Sequence, residues 1–597
     1  MFNIKVFFRR KIHVLVITLI IVAFIHLTSQ KTDNLSSSST TNQKHSEENV
    51  IQGARPAHDP PELEVLEPQS PEDLNSNTGL DRSTYLSIKD YSFFFKNLDK
   101  YALKSPSIKD VYKTNKAAEK FSNDDSFLFS KEYLENVLDI PDSTFRELKD
   151  SHKRYVNEEI TRATKHLSTF GNVLTTDIEW KEYAGSSGYV IVGGGQYSWL
   201  AYLVIRQIRA TGANLPIELF IANENEYEKD FCEILLPKYN ARCNLFNTEL
   251  SSELKKKFGM GGFQYKMLAI LSSKFENVIY LDSDNFPTKD VDYIVDSELY
   301  KEKGLIIWPD AWARTTNPKY YDIAGIEVKE KKIRFSNYDK KRAEKEGKSD
   351  SLDLSDYSFQ NSAYHDFEGT LPNPSSEAGM LIINKTSHLK TLLLSLYYNV
   401  FGPNFYYPLL TQGSAGEGDK ETFIAAAHVM KEPYFQILKQ FKWTGYFSEE
   451  NNEFRSKALG HYDPIQSLDQ SNKDSSIVFM HLSYPKYYPN WLADNHDLIY
   501  EGLGNHIRMY ADIYDNVGYD FDLRVLQFFT QGICPNYYDE EGDAIDGQND
   551  VTRKTDYMGN FLSYVRNDEL TEADRCLKIF IPHLRWLKET SKYPRLN

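Results

Sequence analysis

Cysteine is scarce, at 4 of 597 residues, and no Cys-x-x-Cys pair occurs. That argues against a zinc ribbon or a thiol redox centre. Cys232, Cys243, Cys534 and Cys576 allow three pairings, and proximity along the chain favours 232–243 with 534–576. Positive charge is also in deficit: 69 Lys+Arg stand against 85 Asp+Glu, for a net charge of −16. An acidic body of this kind excludes nucleic acid as a partner. The dinucleotide fingerprint G-x-G-x-x-G is missing. Gly193-Gly194-Gly195 follows an apolar stretch and resembles that turn only loosely, which disfavours a Rossmann oxidoreductase.

Apolar and aromatic side chains are well supplied. Hydrophobic residues make up 41% and aromatic residues 14% of the chain, including 40 Tyr and 7 Trp, enough for one large domain or two ordinary ones. Arg9-Arg10-Lys11 precede an apolar run over 12–27, broken only by His13, Thr18 and His26. The run is near the lower limit of ~17–25 residues for a spanning helix. No small-x-small cleavage site follows it, so an uncleaved anchor is expected rather than a signal peptide. The basic flank then stays cytoplasmic and the bulk of the chain is luminal. Residues 1–11 are expected to be a cytoplasmic tail, 12–28 a transmembrane signal-anchor and 29–84 a disordered stem rich in Ser, Asn, Gln, Pro and Glu. Asn34-Leu35-Ser36 and Asn384-Lys385-Thr386 are sequons for luminal glycosylation.

Helical spacing of apolar residues predicts a helical collar over 85–185, with Asp142-Ser143 capping a helix that runs through 145–160. From 186 the pattern changes to α/β. Strands are expected at 189–192, 215–221, 241–246, 278–281, 304–310, 378–383 and 477–480. Helices are expected at 198–210, 231–239, 263–271 and 385–398. The result is an α/β fold with a catalytic domain over 186–500, followed by a cap over 501–597 in which no catalytic signal is found.

The strand Val278-Ile279-Tyr280-Leu281 runs straight into Asp282-Ser283-Asp284. In an open α/β sheet, ligands bind outside the carboxyl ends of strands, and hard oxygen ligands there suit a divalent cation that also holds substrate phosphates. Asp284 is the first choice for metal ligation, with Asp282 touching the metal or the donor. His481 ends the last strand and supplies a nitrogen, which suits Mn²⁺ better than Mg²⁺. Lys266, on the helix before the Asp282 strand, is a candidate diphosphate contact. Two carboxylates spaced like these project toward one point, whereas a hydrolase needs them flanking a bond ~5–9.5 Å apart.

Five segments resemble the fungal Golgi α-mannosyltransferases of glycosyltransferase family 71: Leu215-Pro216-Ile217-Glu218, Tyr280-Leu281-Asp282-Ser283-Asp284, Trp308-Pro309-Asp310-Ala311-Trp312 with Arg314-Thr315-Thr316, Ser376-Glu377-Ala378-Gly379, and Gly418-Asp419-Lys420-Glu421-Thr422-Phe423. Within that family the chain is most similar to the α-1,2-mannosyltransferases that start side branches on an α-1,6-mannan backbone. The resemblance implies a GT-A fold, a GDP-mannose donor, Mn²⁺, retention of the anomeric configuration and a Golgi membrane location. It implies a mannan or N-glycan acceptor on glycoproteins and a place in a Golgi mannosyltransferase complex.

By resemblance His481 is the third metal ligand and Lys486 holds the diphosphate. Glu377 and Asp419 are candidate catalytic carboxylates. Asp310, Glu421, Trp308 and Trp312 are candidate sugar contacts. The alternatives are an α-1,3 linkage, another nucleotide-sugar donor, or a catalytically dead glycan-binding protein.

Overall fold

The computed structural model describes residues 97–119, 127–166, 185–246, 254–345, 357–469, 472–496, 499–501, 504–537, 557–566 and 573–593. The expected tail, anchor, stem and first sequon lie outside them. No helix among the described residues is long and apolar enough to cross a membrane.

The strands in chain order are β1 (Ser187–Val192), β2 (Ile217–Ile221), β3 (Ala241–Leu245), β4 (Asn277–Leu281), β5 (Asn285–Pro287), β6 (Leu305–Pro309), β7 (Ser376–Asn384), β8 (Phe435–Gln436), β9 (Lys442–Phe447), β10 (Phe454–Tyr462), β11 (Ile477–His481), β12 (Tyr500–Glu501) and β13 (Asn505–His506). Among the described residues the main sheet has the order β3-β2-β1-β4-β7-β6-β8, and a second has the order β5-β11-β10-β9. All main-sheet pairings are parallel except those of β7, which runs antiparallel to β4 and β6.

The central strands read as continuous Val/Ile/Leu runs because both faces are covered. Ile217–Ile221 and Leu305–Pro309 are buried at every position. The Gln196–Ala210 helix lies on one side, its Trp199, Leu203 and Ile208 fully buried. The Tyr265–Ser272 and Leu389–Val400 helices are buried at nearly every position. Each large apolar side chain so buried contributes roughly 1.5–3 kcal/mol.

Several expected elements differ in detail. The 231–239 helix is a π turn (Phe231–Leu235) followed by a 3₁₀ turn (Leu236–Tyr239), because Pro237 interrupts regular α bonding. The helix after β7 starts at Leu389 rather than 385. Asp142 does not cap its helix: it is the first helical residue, after Pro141, which makes no side-chain cap. Strands β9 and β10 were not anticipated. Their mixed sequences, Lys-Trp-Thr-Gly-Tyr-Phe and Phe-Arg-Ser-Lys-Ala-Leu-Gly-His-Tyr, lack the β-branched apolar run that marks the main sheet.

Candidate active site

Reversal of β7 organises the site. Its amino end sits beside the carboxyl ends of β4 and β6, so Glu377 meets Asp282 and Asp310 although they lie 95 and 67 residues away in sequence. The Asp282 amide donates to the Gly379 carbonyl at 2.8 Å, and the Asp310 amide to the Ser375 carbonyl at 2.8 Å. Gly379 is required by this approach. A Cβ there would lie 2.9 Å from Asn285 Nδ2, 3.2 Å from Glu377 Oε1 and 3.5 Å from His481 Nδ1.

The second sheet brings the imidazole. His481 pairs with Asn285 across β11 and β5, and the Leu482 amide donates to the Asp284 carbonyl at 3.0 Å. His481 Nδ1 lies 2.9 Å from Glu377 Oε2, and its Nε2 lies 3.8 Å from Asp284 Oδ1. The second nitrogen therefore faces the acidic pair while the first is held in place. Burial would lower the His481 pKa. The Glu377 charge and hydrogen bond, with Asp282 and Asp310 behind them, instead raise it to about 9. Burial would likewise raise the Glu377 carboxyl, but His481 and the Gly379 amide hold it well below the usual carboxylate range. Its Oε1 takes the Ala378 and Gly379 amides at 2.8 and 2.7 Å. Glu377 is thus fully engaged as an acceptor and holds other groups in position.

Lysines close the acidic edge. Lys486 is ion-paired to Asp284. Lys266 Nζ donates to the Ala378 carbonyl at 2.6 Å and bridges Asp282 Oδ2 (3.4 Å) and Asp419 Oδ2 (3.1 Å). The Tyr280 hydroxyl donates to Asp282 Oδ1 at 2.6 Å. Burial pushes the Asp419 carboxyl up to about 6, with Lys266 opposing and Asp282 reinforcing. Lys420 Nζ pairs with Asp310 Oδ2 at 2.7 Å. Asp282 is the accessible member of the set, its side chain one-third exposed.

Two expected sugar contacts are corrected. Trp308 is fully buried and donates Nε1 to the Tyr462 carbonyl at 2.8 Å, joining the two sheets as core. Glu421 is buried in an ion pair with Arg314 and accepts the Ser376 amide at 2.9 Å, so it braces β7 and offers nothing to a ligand. Asp310 faces the site but is buried against Lys420. Trp312 is half-buried, and its carbonyl accepts the Ser375 amide at 3.0 Å. Asn384 is tied by its side chain to Asn277 at 2.8 Å. Cys232 is bonded to Cys243, and Cys534 to Cys576.

His461 was missed by the sequence reading. One ligating atom from each of Glu377, His461 and His481 lies within 4.8 Å of the others, but Glu377 and His481 already hydrogen-bond to each other there. Both His461 nitrogens are buried without a hydrogen-bond partner, and burial lowers its pKa to about 3. It is neutral, so its 3.9 Å approach to Glu377 is not an ion pair. Its only sequence signal was the alternation of strand β10. Lys420 lies within the Gly418–Phe423 segment, where nothing local distinguishes it.

An acidic pair, an imidazole and three lysines gathered at the carboxyl edge of a largely parallel sheet form the kind of strand-end site at which open α/β proteins bind ligands. Residues 186–463 match the mannosyltransferase family model Mannosyl_trans3. The α-1,2-mannosyltransferase MNN2 of Candida albicans is 58% identical over 98% of this chain and 99% of its own length. The α-1,2-mannosyltransferase MNN2 of Saccharomyces cerevisiae is 36% identical over 69% of this chain and 72% of its own. The galactosyltransferase LgtC, solved with donor and acceptor sugar analogues, is 13% identical, with a TM-score of 0.27 over 50% of this chain and 89% of that one. The chain belongs to the fungal mannosyltransferase family.

Proposed function

We propose that the protein transfers mannose from GDP-mannose to mannose-rich glycans with retention of configuration. It would add α-1,2-linked branches to an α-1,6-mannan backbone on glycoproteins. The observation that carries this reading is the 58% identity to the Candida albicans α-1,2-mannosyltransferase across almost the whole chain. The sheet order supports a GT-A arrangement, with β7 as the reversed strand.

Two carboxylates and one imidazole are a donor set that fits Mn²⁺. Asp284 and His481 would hold it together with Asp282. Such an ion would supply positive charge to offset the negative charge developing on a departing diphosphate. The chain's own groups do the rest. Glu377 fixes the His481 ring through Nδ1. Lys486, paired with Asp284, is placed to turn toward the diphosphate. Lys266 keeps Asp282 and Asp419 together, which supports Asp419 as the carboxylate that meets the incoming hydroxyl or the sugar. The apolar run at 12–27 supports a single-pass Golgi anchor with a luminal catalytic domain.

Incubation of the full-length protein with GDP-mannose, Mn²⁺ and α-1,6-mannooligosaccharides, followed by linkage analysis, should yield α-1,2-linked mannose. Asp284→Ala should abolish transfer. Transfer from a uridine-linked sugar, an α-1,3 product or an active Asp284→Ala protein would each sink the corresponding assignment.

A further inference from the structure

The second sheet carries the site outward along a row of aromatic side chains. Directly opposed residues of an antiparallel pair share a face, as do alternate residues of one strand. Trp443 is opposite Leu459, which is opposite His481, and Phe447 is opposite Phe454. His461 shares that face by alternation with Leu459. The row therefore starts at His461, 3.9 Å from Glu377. It passes Phe441, whose ring centre is 6.4 Å from His461 and 5.0 Å from Trp443. It ends at the Phe447–Phe454 pair, 5.3 Å apart.

Exposure rises along the row: Leu459 is 5% exposed, Trp443 37%, Phe454 39% and Phe447 61%. Three large exposed aromatics on one hairpin are unusual on a soluble surface, where such patches mark binding sites.

The surroundings select the occupant. Glu449, Glu450, Asn451, Asn452 and Glu453 form the hairpin tip, so the patch has an acidic and amide rim. That charge disfavours an anionic lipid surface or a polyanion. It leaves a neutral chain with alternating apolar and hydroxylated faces, which aromatic rings bind by stacking while the polar rim takes hydroxyls. Trp443 and Phe447 are four residues apart on one strand, roughly 13 Å, which exceeds one sugar ring. We propose that the exposed aromatic face of the β9–β10 hairpin is an acceptor subsite. It holds an α-mannan chain lengthwise while the mannose to be modified lies beside Asp284 and His481.

This inference rests on the mannosyl-transfer reading, and it makes Trp443, Phe447 and Phe454 determinants of acceptor length. The test uses the full-length protein and the Phe447→Ala/Phe454→Ala and Trp443→Ala variants. Initial rates are measured on α-1,6-mannooligosaccharides from dimer to octamer. Retardation in native gels cast with α-1,6-mannan reports binding without turnover. The preference of the parent protein for long over short acceptors should collapse by tenfold or more in the double variant, through KM for the acceptor. KM for GDP-mannose should hold, gel retardation should disappear, and Phe447→Tyr should restore both.

An unchanged length preference with unchanged retardation would overturn the proposal. So would variants that keep mannan retardation but lose a self-association seen by sedimentation, which would assign the face to protein contact. If the parent protein transfers mannose to none of the acceptors, the functional reading fails, and retardation alone still decides whether the face binds mannan.

Discussion

Glu377 shows how one side chain can set the properties of several others. Its Oε1 is spent on two backbone amides and its Oε2 on His481, so its work is to fix an imidazole. A group that orients a metal-binding histidine typically contributes 10–100-fold to metal affinity. With His481 holding Mn²⁺ as proposed, Glu377→Gln should raise the Mn²⁺ concentration needed for half-maximal transfer by that order, while leaving the thermal midpoint within a few degrees. A metal titration of the variant checks this.

Glu226 offers a separate residue-scale prediction. It is buried near Gly194 with Oε1 unpartnered, and burial raises its pKa to about 8. Between about 4.5 and 8 the folded carboxyl keeps a proton that the unfolded chain gives up, so its contribution to stability is present at low pH and is lost as pH rises through that window. Glu226→Gln keeps the acceptor for Asn223 and removes the titration. The thermal midpoint of the variant should fall less between pH 5.5 and pH 8 than that of the parent.

At the scale of elements, the hairpin that extends the site depends on a glycine. A Cβ at Gly445 would lie 1.9 Å from the Arg455 carbonyl oxygen of the neighbouring strand. Gly445→Ala must push β9 from β10 and should cost about 1–3 kcal/mol, read as a drop in the denaturation midpoint. It should also disturb Trp443 and Phe447 on either side. The main-sheet strands were legible because burial on both faces forces apolar runs. β9 and β10 were not, because their residues answer to an exposed face and to a site, and polar and aromatic types alternate without a simple period. The reversal of β7 was likewise invisible, since an apolar strand reads the same in either direction.

At the scale of the molecule, one disulfide ties the edge strand β3 to the turn before it, and the other holds segments beyond the sheet. Cys534–Cys576 closes a loop of sequence separation 42 and ties the π-helical segment Ala573–Phe580 to the carboxyl end of the Phe521–Ile533 helix. A loop of that length corresponds to about 4 kcal/mol of unfolded-state entropy. A Cys534→Ala/Cys576→Ala protein should lose roughly 2–4 kcal/mol in a denaturant titration, with donor binding unaffected once folded.

The sequence by itself determined the α/β class, the strand that delivers Asp282 and Asp284, and the family. These depend on local patterns: an apolar run, a carboxylate pair at its end, and motifs whose residues stay adjacent in the chain. Only the tertiary structure decided which distant side chains meet that pair. Glu377 and Glu421 sat in equally plausible motifs, yet β7 turns one toward His481 while the turn at Asp419–Glu421 sets the other against Arg314. Trp308 read as a sugar platform and is core, while Trp443 and Phe447 gave no signal and stand exposed. Strand direction and burial arise from contacts between residues tens to hundreds of positions apart, and no local spacing encodes them.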